Sequence, residues 1–165
     1  GNKGAALATL LLDALKGCLP VFLIHHFGTA LGNFLFRWQA QLEEAGIRPS
    51  WRIDVPDDAG ALSPQSTLQL LRIAQEALTN VLKHSCATRV QVNLRQMPRT
   101  LELEIVDNGV RTVPSEGSPG LGIGNMHSRA RQLGATLQVE SKGDGTRVAL
   151  RVPLPAPAAG IGLPA

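Results

Sequence analysis

The chain has 165 residues, of which 44% are hydrophobic and 18% are charged, a composition typical of a folded domain and not of a disordered segment. Its formal net charge is +3, but the 16 lysines and arginines form no run and there is no tyrosine, which argues against a nucleic-acid partner. The two cysteines have no metal-ligand spacing, and unpaired thiols suit a reducing compartment.

Two helical patterns come first. Residues 3–16 carry leucines at mixed spacing and could form a short helix, which residues 17–20 break. The second pattern runs through Thr29–Ala45, with Gly46 where a left-handed cap ends a helix, and we expect its apolar side to pack on a sheet. Residues 18–36 lack charges, but their proline, histidine and glycine residues argue against a membrane span.

A strand is predicted at residues 51–55, where apolar and polar side chains alternate. The sequence Pro56-Asp-Asp-Ala-Gly60 then ends it. The pair Asp57 and Asp58 could bind a metal ion, but proline, aspartate and glycine in this order are typical of a turn, which we favour.

Residues 65–86 form the longest helical pattern, and its two sides differ in character. Pro64 suits the first helical turn and Ser63 its cap, because a serine hydroxyl accepts a backbone N–H that has no partner there. At about 100° per residue the apolar side chains share one wide arc, which predicts an amphipathic helix on the core. This arc comprises Leu70, Leu71, Ala74, Ala77, Leu78, Val81 and Leu82.

The opposite arc of this helix collects Glu76, Asn80, Lys83 and His84. These side chains could simply form the solvated face of a surface helix. Their chemistry also suits a metal-bound polyphosphate, since a carboxylate can accept a proton, an amide oxygen can bind Mg²⁺, and cationic side chains offset phosphate charge. From the helix alone both interpretations stay open.

A first hairpin follows the long helix. Its strands are predicted at residues 89–95 and 101–105, each with one apolar and one polar face, and a turn at 97–99 joins them. Asp107-Asn-Gly109 ends the second strand. Residues 110–122 are rich in glycine, proline and serine, and a loop of this length in a compact chain suggests a functional flap.

The last elements are a helix and a second hairpin. The helix is predicted from about Asn125 to Leu133, and it should stop at Gly134. Strands at 136–140 and 146–152 follow, joined by the glycine-rich turn at 142–145. This order of elements predicts an α+β fold, a two-layer sandwich in which three helices cover one face of a mostly antiparallel mixed sheet.

The domain organisation follows from these patterns. We expect a linker or the end of a preceding helical region at residues 1–28, a single domain at 29–153, and a disordered proline, alanine and glycine tail at 154–165.

Three segments carry the candidate chemistry, and their order and spacing resemble a known family. The segments are Glu76-x-x-x-Asn80-x-x-Lys83-His84, Asp107-x-Gly109 and Gly120-x-Gly122-x-x-Asn125-Met126. They are similar to the N box and two glycine boxes of the ATP-binding domain of sensor histidine kinases, in the GHKL superfamily with the Bergerat-type fold. Residues 72–84 and 124–134 resemble the nitrate-sensor-like subfamily.

The resemblance implies roles at the phosphate end of a bound ATP. Glu76 would orient the nucleophile or accept its proton beside the γ-phosphate. Asn80 would bind Mg²⁺, while Lys83 and His84 would contact phosphates. The backbone at the start of a helix would also meet the phosphates, where the helix dipole favours anions. These backbone positions are Gly120, Leu121, Gly122 and Ile123.

Three further roles are implied at the adenine end. Asp107 would accept a hydrogen bond from the adenine amino group, Gly109 would let the backbone pass under the base, and Thr146 would hydrogen-bond near adenine. Taken alone, Asp107 fits a turn and Thr146 a plain strand residue. The glycines taken alone fit ordinary loops. Their coincidence in one chain favours the nucleotide site.

Two features depart from the family pattern. The first glycine box usually ends in a second glycine, and this chain has Arg111 there, so weakened nucleotide binding is an open alternative. The phosphate-accepting histidine of the subfamily precedes an acidic residue, whereas His25 and His26 precede Phe27. We interpret these two as linker or packing histidines.

The predicted function is that of the catalytic, ATP-binding portion of a sensor histidine kinase. It would bind ATP with Mg²⁺ and donate the γ-phosphoryl group to a histidine on the dimerisation domain of the same kinase, for relay to a response regulator. We expect a homodimeric full-length protein and a cytoplasmic domain without membrane contact. The alternatives are a nucleotide-poor regulatory module and a serine kinase of the anti-sigma-factor type.

Overall fold

The computed structural model describes residues 29–55, 62–110 and 121–154. The helices are α1 (Thr29–Glu44), α2 (Pro64–His84) and α3 (Leu121–Gln132). The strands are β1 (Arg48–Asp54), β2 (Arg89–Met97), β3 (Thr100–Asp107), β4 (Thr136–Lys142) and β5 (Gly145–Pro153). Several predictions lie outside the described residues: the helix at 3–16, the histidines at 25 and 26, the turn at 57 and 58, Arg111, Gly120 and the tail beyond 154.

The chain divides into two compact units, residues 1–41 and residues 42–165. In the first unit, α1 confirms the helix predicted from Thr29, with Leu35 and Trp38 buried and the ring of Phe34 6.0 Å from that of Trp38. The packing of this helix on a sheet and the domain bounds 1–28, 29–153 and 154–165 stay predictions. None of the helices within the described residues is long and apolar enough to cross a bilayer.

Glycines end two of the helices, as predicted. At the end of α1, Gly46 has φ 76°, its N–H donates to the carbonyl of Glu43 at 3.0 Å, and the N–H of Ile47 donates to the carbonyl of Leu42 at 2.9 Å. Gly134, with φ 61°, follows α3 in the same way. Both are left-handed caps, which glycine adopts without a steric penalty from Cβ.

Helix α2 begins as predicted and ends earlier than predicted. The hydroxyl of Ser63 accepts the N–H of Ser66 at 3.1 Å, which confirms the cap. The predicted end at residue 86 is wrong, because Ser85 caps the helix and Cys86 takes φ 48°. The apolar arc is confirmed except that Ile73, absent from the prediction, is fully buried and Leu82 is only half-buried.

The five strands form one sheet in the order β1-β2-β3-β5-β4, with β1 parallel to β2 and all other pairs antiparallel. The predicted α+β class and mostly antiparallel mixed sheet are therefore confirmed. A parallel pair needs a crossover between its strands, and α2 supplies it. Helix α2 also contacts β3 and α3, and α3 contacts β4.

The two faces of the sheet differ as the alternation predicted. One face carries buried aliphatic side chains, including Val92 on β2, Ile105 on β3 and Leu150 on β5. The other face is polar: Arg95 and Arg151 form ion pairs with Glu102 at 3.2 and 3.0 Å. Opposite charges on neighbouring strands suit a solvated sheet surface.

Glu104 is a second carboxylate of this polar face with two polar partners. It pairs with Arg147 at 2.7 Å and accepts a hydrogen bond from Asn93 at 3.0 Å. Partial burial acts to raise the pKa of Glu104, but hydrogen bonds from Asn93 and Arg147 and the charges of Arg147 and Arg95 outweigh it, so the pKa is lowered from its usual value.

Helix α3 begins at Leu121, four residues before the predicted start at Asn125, so the predicted loop 110–122 was too long at its end. Gly122 and Gly124 lie in the first helical turn. Glycine has a low helix propensity, which is why the sequence pattern placed the boundary after both of them.

Loss of the α2 cap should destabilise the fold. We expect Ser63→Ala to lower the free energy of unfolding by about 1 kcal/mol, because the N–H of Ser66 loses its acceptor. Urea denaturation followed by circular dichroism measures the change. Gln65→Ala, in the same exposed turn, is the control, and a matching loss in both variants would contradict a specific capping role.

Glu104 should make the fold more sensitive to acid. Because its pKa is lowered on folding, its contribution to the free energy of unfolding is complete above the usual carboxyl pKa of 4.5 and is lost as the pH falls below it. Between about pH 5 and pH 3, the free energy of unfolding of Glu104→Gln should therefore fall less than that of the wild type. Urea titrations at each pH test this, with Glu140→Gln as the control on the same face; parallel curves for Glu104→Gln and wild type would contradict it.

Candidate functional site

A buried carboxylate ends β3 on the apolar face of the sheet. Asp107 is only 6% exposed and continues the row of Leu103 and Ile105. Its register partner on β5 is Thr146, so a carboxylate and a hydroxyl stand side by side on neighbouring strands. Burial of a carboxylate among aliphatic side chains costs free energy, which marks this position as a candidate functional site.

The chain just after Asp107 is held by hydrogen bonds. The carboxylate of Asp107 accepts the N–H of Gly109 at 2.8 Å. The side-chain oxygen of Asn108 accepts the N–H groups of Thr88 and Arg89 at 3.1 and 2.8 Å. The sequence Asp-Asn-Gly is therefore a turn, as its pattern indicates, and the same turn fixes the orientation of the carboxylate.

Two glycines allow the backbone to approach closely here. A Cβ on Gly109 would overlap the backbone carbonyl of Ser85, and a Cβ on Gly145 would overlap the backbone oxygen of Asp107. Gly145 also has φ 152°, which side chains rarely adopt. Both glycines are thus required by the packing around Asp107.

Asp107, Thr146 and Asn80 line one cavity at the junction of α2, α3 and the sheet. Its volume is about 20 Å³, enough for about one water molecule, so a purine ring fits only after side chains move. The apolar wall suits a flat heterocycle with a few polar atoms. The remaining lining residues are Ala77, Val81, Ser85, Ile105, Ile123, Met126, Val139 and Val148.

Glu76 lies one helical turn before Asn80 on α2, against the start of α3. A Cβ on Gly122 would overlap a carboxylate oxygen of Glu76. The carboxylate and the amide of α2 therefore both face the region where α3 begins. Helix α3 presents its N-terminal end there, and unpaired N–H groups at such an end favour negative charge.

Two of the predicted phosphate contacts, Lys83 and His84, lie apart from this cavity. Lys83 and His84 are exposed in the last turn of α2 and do not line the cavity formed by the described residues. Basic side chains at a helix C-terminus also interact favourably with the helix dipole, so their position has a structural explanation as well. Leu121 is the first residue of α3, and Ile123 lines the cavity.

The sequence pattern missed Ser85 and Gly145. Ser85 is 3% exposed, donates its hydroxyl to the carbonyl of Val81 at 2.8 Å and accepts the N–H of Ala87 at 3.2 Å. Nothing in the pattern distinguished it from a last helical residue. Gly145 was predicted only as a turn glycine, and its contact with Asp107 depends on the pairing of β3 with β5.

The oxygen-bearing side chains near the cavity indicate how a metal ion could be bound. Within the described residues no three histidine, cysteine, aspartate or glutamate side chains are grouped for a metal. Mg²⁺ commonly takes one or two protein oxygens together with substrate phosphates and water. The amide oxygen of Asn80, which lines the cavity, fits such a site if phosphates supply further ligands.

Comparisons with known proteins agree with this geometry. Residues 65–156 match the family described as histidine kinase-, DNA gyrase B-, and HSP90-like ATPase. The chain is 36% identical over 117 residues to the signal transduction histidine-protein kinase/phosphatase UhpB of Salmonella typhimurium, covering 70% of this chain and 22% of UhpB. It is 41% identical over 87 residues to the sensor protein VraS of Staphylococcus epidermidis, covering 52% of this chain and 25% of VraS.

Solved structures share the fold. The histidine kinase AdeS of Acinetobacter baumannii superposes with a TM-score of 0.60 at 16% identity, covering 93% of this chain and 81% of that one. The histidine kinase domain of the Erythrobacter litoralis EL346 blue-light activated kinase gives a TM-score of 0.56 at 24% identity, covering 73% and 63%.

The chain thus spans about a quarter of the length of the curated relatives it matches. The nitrate-sensor-like subfamily stays a prediction. The family match covers residues 65–156, which include the side chains of Asp107, Thr146 and Asn80 that line the cavity. This chain therefore belongs to the family of histidine kinase-, DNA gyrase B- and HSP90-like ATPases.

Proposed function

We propose that this domain binds ATP with Mg²⁺ and donates the γ-phosphoryl group to a histidine of a dimerisation domain. The observation that carries the proposal is the buried carboxylate of Asp107, which lines one cavity with Thr146 and Asn80. Family membership supports ATP as the nucleotide. The relative UhpB is a signal transduction histidine-protein kinase/phosphatase, which supports histidine as the acceptor.

The adenine end of the nucleotide would lie at the sheet. The carboxylate of Asp107 accepts hydrogen bonds, so it suits the exocyclic amino group of adenine and opposes the C6 carbonyl oxygen of guanine. Thr146, directly opposite on β5, can donate or accept through its hydroxyl. The backbone of Gly109 would pass under the base, at a position where its close approach to Ser85 leaves no room for a Cβ.

The triphosphate would extend from there toward α2 and α3. Backbone N–H groups at the start of α3, at Leu121, Gly122 and Ile123, would hold phosphate oxygens. Asn80 would contribute one ligand to Mg²⁺, which when bound neutralises charge on the phosphates. Gly120, Lys83 and His84 complete the proposed phosphate contacts.

Glu76 would act on the attacking histidine. The imidazole nitrogen forms a bond to the γ-phosphorus while the bond from that phosphorus to the bridging oxygen of ADP breaks. The Glu76 carboxylate would orient the ring and accept its N–H proton, which keeps the charge balanced. Positioning and charge stabilisation would therefore supply most of the rate enhancement.

The partners follow from this chemistry. The acceptor histidine would belong to the dimerisation domain of the same kinase, within a homodimer, and the phosphoryl group would pass to an aspartate of a response regulator. His25 and His26 of this chain are not the proposed acceptors. A cytoplasmic position would give the domain access to ATP and to the regulator.

Nucleotide affinity should depend on Asp107. We expect calorimetry with a non-hydrolysable ATP analogue and Mg²⁺ to give measurable binding, and the affinity to fall about tenfold or more in Asp107→Asn, because a hydrogen bond to a charged acceptor is lost. The wild type should prefer the ATP analogue to the GTP analogue. Asp107→Asn should reduce this preference.

Asp54→Asn, on the polar face of the sheet, is the matched control and should bind as the wild type does. Asparagine keeps an oxygen that can accept the N–H of Gly109, so the variant preserves the local turn, which circular dichroism can verify. Absence of heat at millimolar nucleotide in the wild type would instead favour a nucleotide-poor regulatory module.

Phosphoryl transfer should depend on Glu76. With radiolabelled ATP and a dimerisation domain that carries the acceptor histidine, we expect acid-labile phosphohistidine on that domain, and Glu76→Gln should slow the transfer about 100-fold or more. The affinity for the ATP analogue should change less than about twofold, because the amide retains the shape of the carboxylate.

Glu43→Gln, on α1, serves as the control for this assay. Acid-stable phosphoserine as the product would contradict the histidine assignment and favour a serine kinase. Phosphohistidine on this chain itself would contradict the interpretation of His25 and His26.

A further inference from the structure

A single hydrogen bond joins the two helices that carry the proposed phosphate site. The guanidinium of Arg129, on α3, donates to the side-chain oxygen of Gln69, on α2, at 2.9 Å. Both side chains are partly buried. Among the described residues no other hydrogen bond is recorded between α2 and α3. The contact lies away from the cavity, because neither residue lines it.

A second contact between the helices lies two turns away. Glu76 follows Gln69 by seven residues on α2, and Gly122 precedes Arg129 by seven residues on α3. At 1.5 Å per residue each interval is about 10 Å. The carboxylate of Glu76 packs against Gly122 at the far end of this interval. The two helices therefore run antiparallel and in register between these contacts.

Apolar packing between the helices lacks the directionality of a hydrogen bond. Burial of apolar side chains such as Ile73 on α2 and Met126 on α3 is favourable in any orientation, and a shift by one residue moves a helix only about 1.5 Å. A hydrogen bond from a planar guanidinium loses most of its strength over such a displacement. The bond between Arg129 and Gln69 is thus suited to setting the axial position of α3.

We propose that Arg129 and Gln69 are positioning residues that hold the start of α3 against Glu76 and Asn80. This inference rests on the function proposed above and names residues outside its phosphate contacts. Loss of the bond lets α3 move along α2, so the N–H groups at Gly122 and Ile123 leave their alignment with the Asn80 amide. The polar groups proposed for adenine, Asp107 and Thr146, are on β3 and β5 and stay in place, while only the apolar wall formed by Ile123 and Met126 moves with α3.

The test compares a ligand that has phosphates with one that has none. Calorimetry with the Mg²⁺ complex of a non-hydrolysable ATP analogue and with adenosine is applied to Arg129→Ala, Gln69→Ala and the double variant. We expect affinity for the analogue to fall about fivefold in each single variant, the size of one ordinary hydrogen bond, and no further in the double variant. Affinity for adenosine should change less than about twofold.

Two variants serve as controls. Arg131→Ala removes an exposed arginine two residues further along α3, whose side chain has no hydrogen-bond or ion-pair partner among the described residues, and this variant should bind both ligands as the wild type does. Gln69→Glu keeps an acceptor for Arg129 and should retain the wild-type affinity for the analogue. In ¹⁵N NMR spectra without nucleotide, the chemical shift of the Gly122 amide should change in Arg129→Ala and remain unchanged in Arg131→Ala.

The inference is overturned if the variants lose affinity for both ligands equally or for neither. It is also overturned if the two losses of affinity multiply in the double variant, or if the chemical shift of the Gly122 amide does not change. These failures differ from failure of the proposed function. A wild-type protein that binds neither ligand would contradict the nucleotide site itself. Normal binding by both the wild type and Arg129→Ala would contradict only the positioning role.

Discussion

The buried carboxylate of Asp107 is the constraint on which the rest of the site depends. It ends a row of aliphatic side chains on β3, and the pairing of β3 with β5 sets Thr146 beside it. Two glycines are required around it, because a side chain at Gly109 or Gly145 would overlap neighbouring backbone. The carboxylate accepts the N–H of Gly109 and lines the cavity together with Asn80.

Helix α2 connects this constraint to the proposed phosphate site. Its buried side, including Leu78, belongs to the hydrophobic core, while Glu76 and Asn80 emerge on the side that faces α3 and the cavity. The same packing that stabilises the fold therefore orients the polar groups. Because α2 is also the crossover between β1 and β2 and packs against β3, the sheet and the proposed catalytic carboxylate of Glu76 belong to one packed unit.

Much of the fold was predictable because its signals are local. Alternation of side chains revealed the strands, and the cap at Ser63 and the glycines at 46 and 134 marked helix ends through short-range geometry. The errors occurred where tertiary contacts overrode propensity. Helix α3 begins through two glycines at Leu121, and α2 stops at His84 because Ser85 and Cys86 turn the chain toward β2.

The sequence by itself determined which chemical groups are available: a carboxylate, an amide and basic side chains on one helix face, an Asp-Asn-Gly turn, and glycines near a helix start. Their order and spacing also indicated the family. Only the tertiary structure decided which groups meet. The opposition of Asp107 and Thr146, the contact of Glu76 with Gly122 and the burial of Ser85 each join residues that are distant in sequence or depend on strand register, and no local periodicity encodes such long-range contacts.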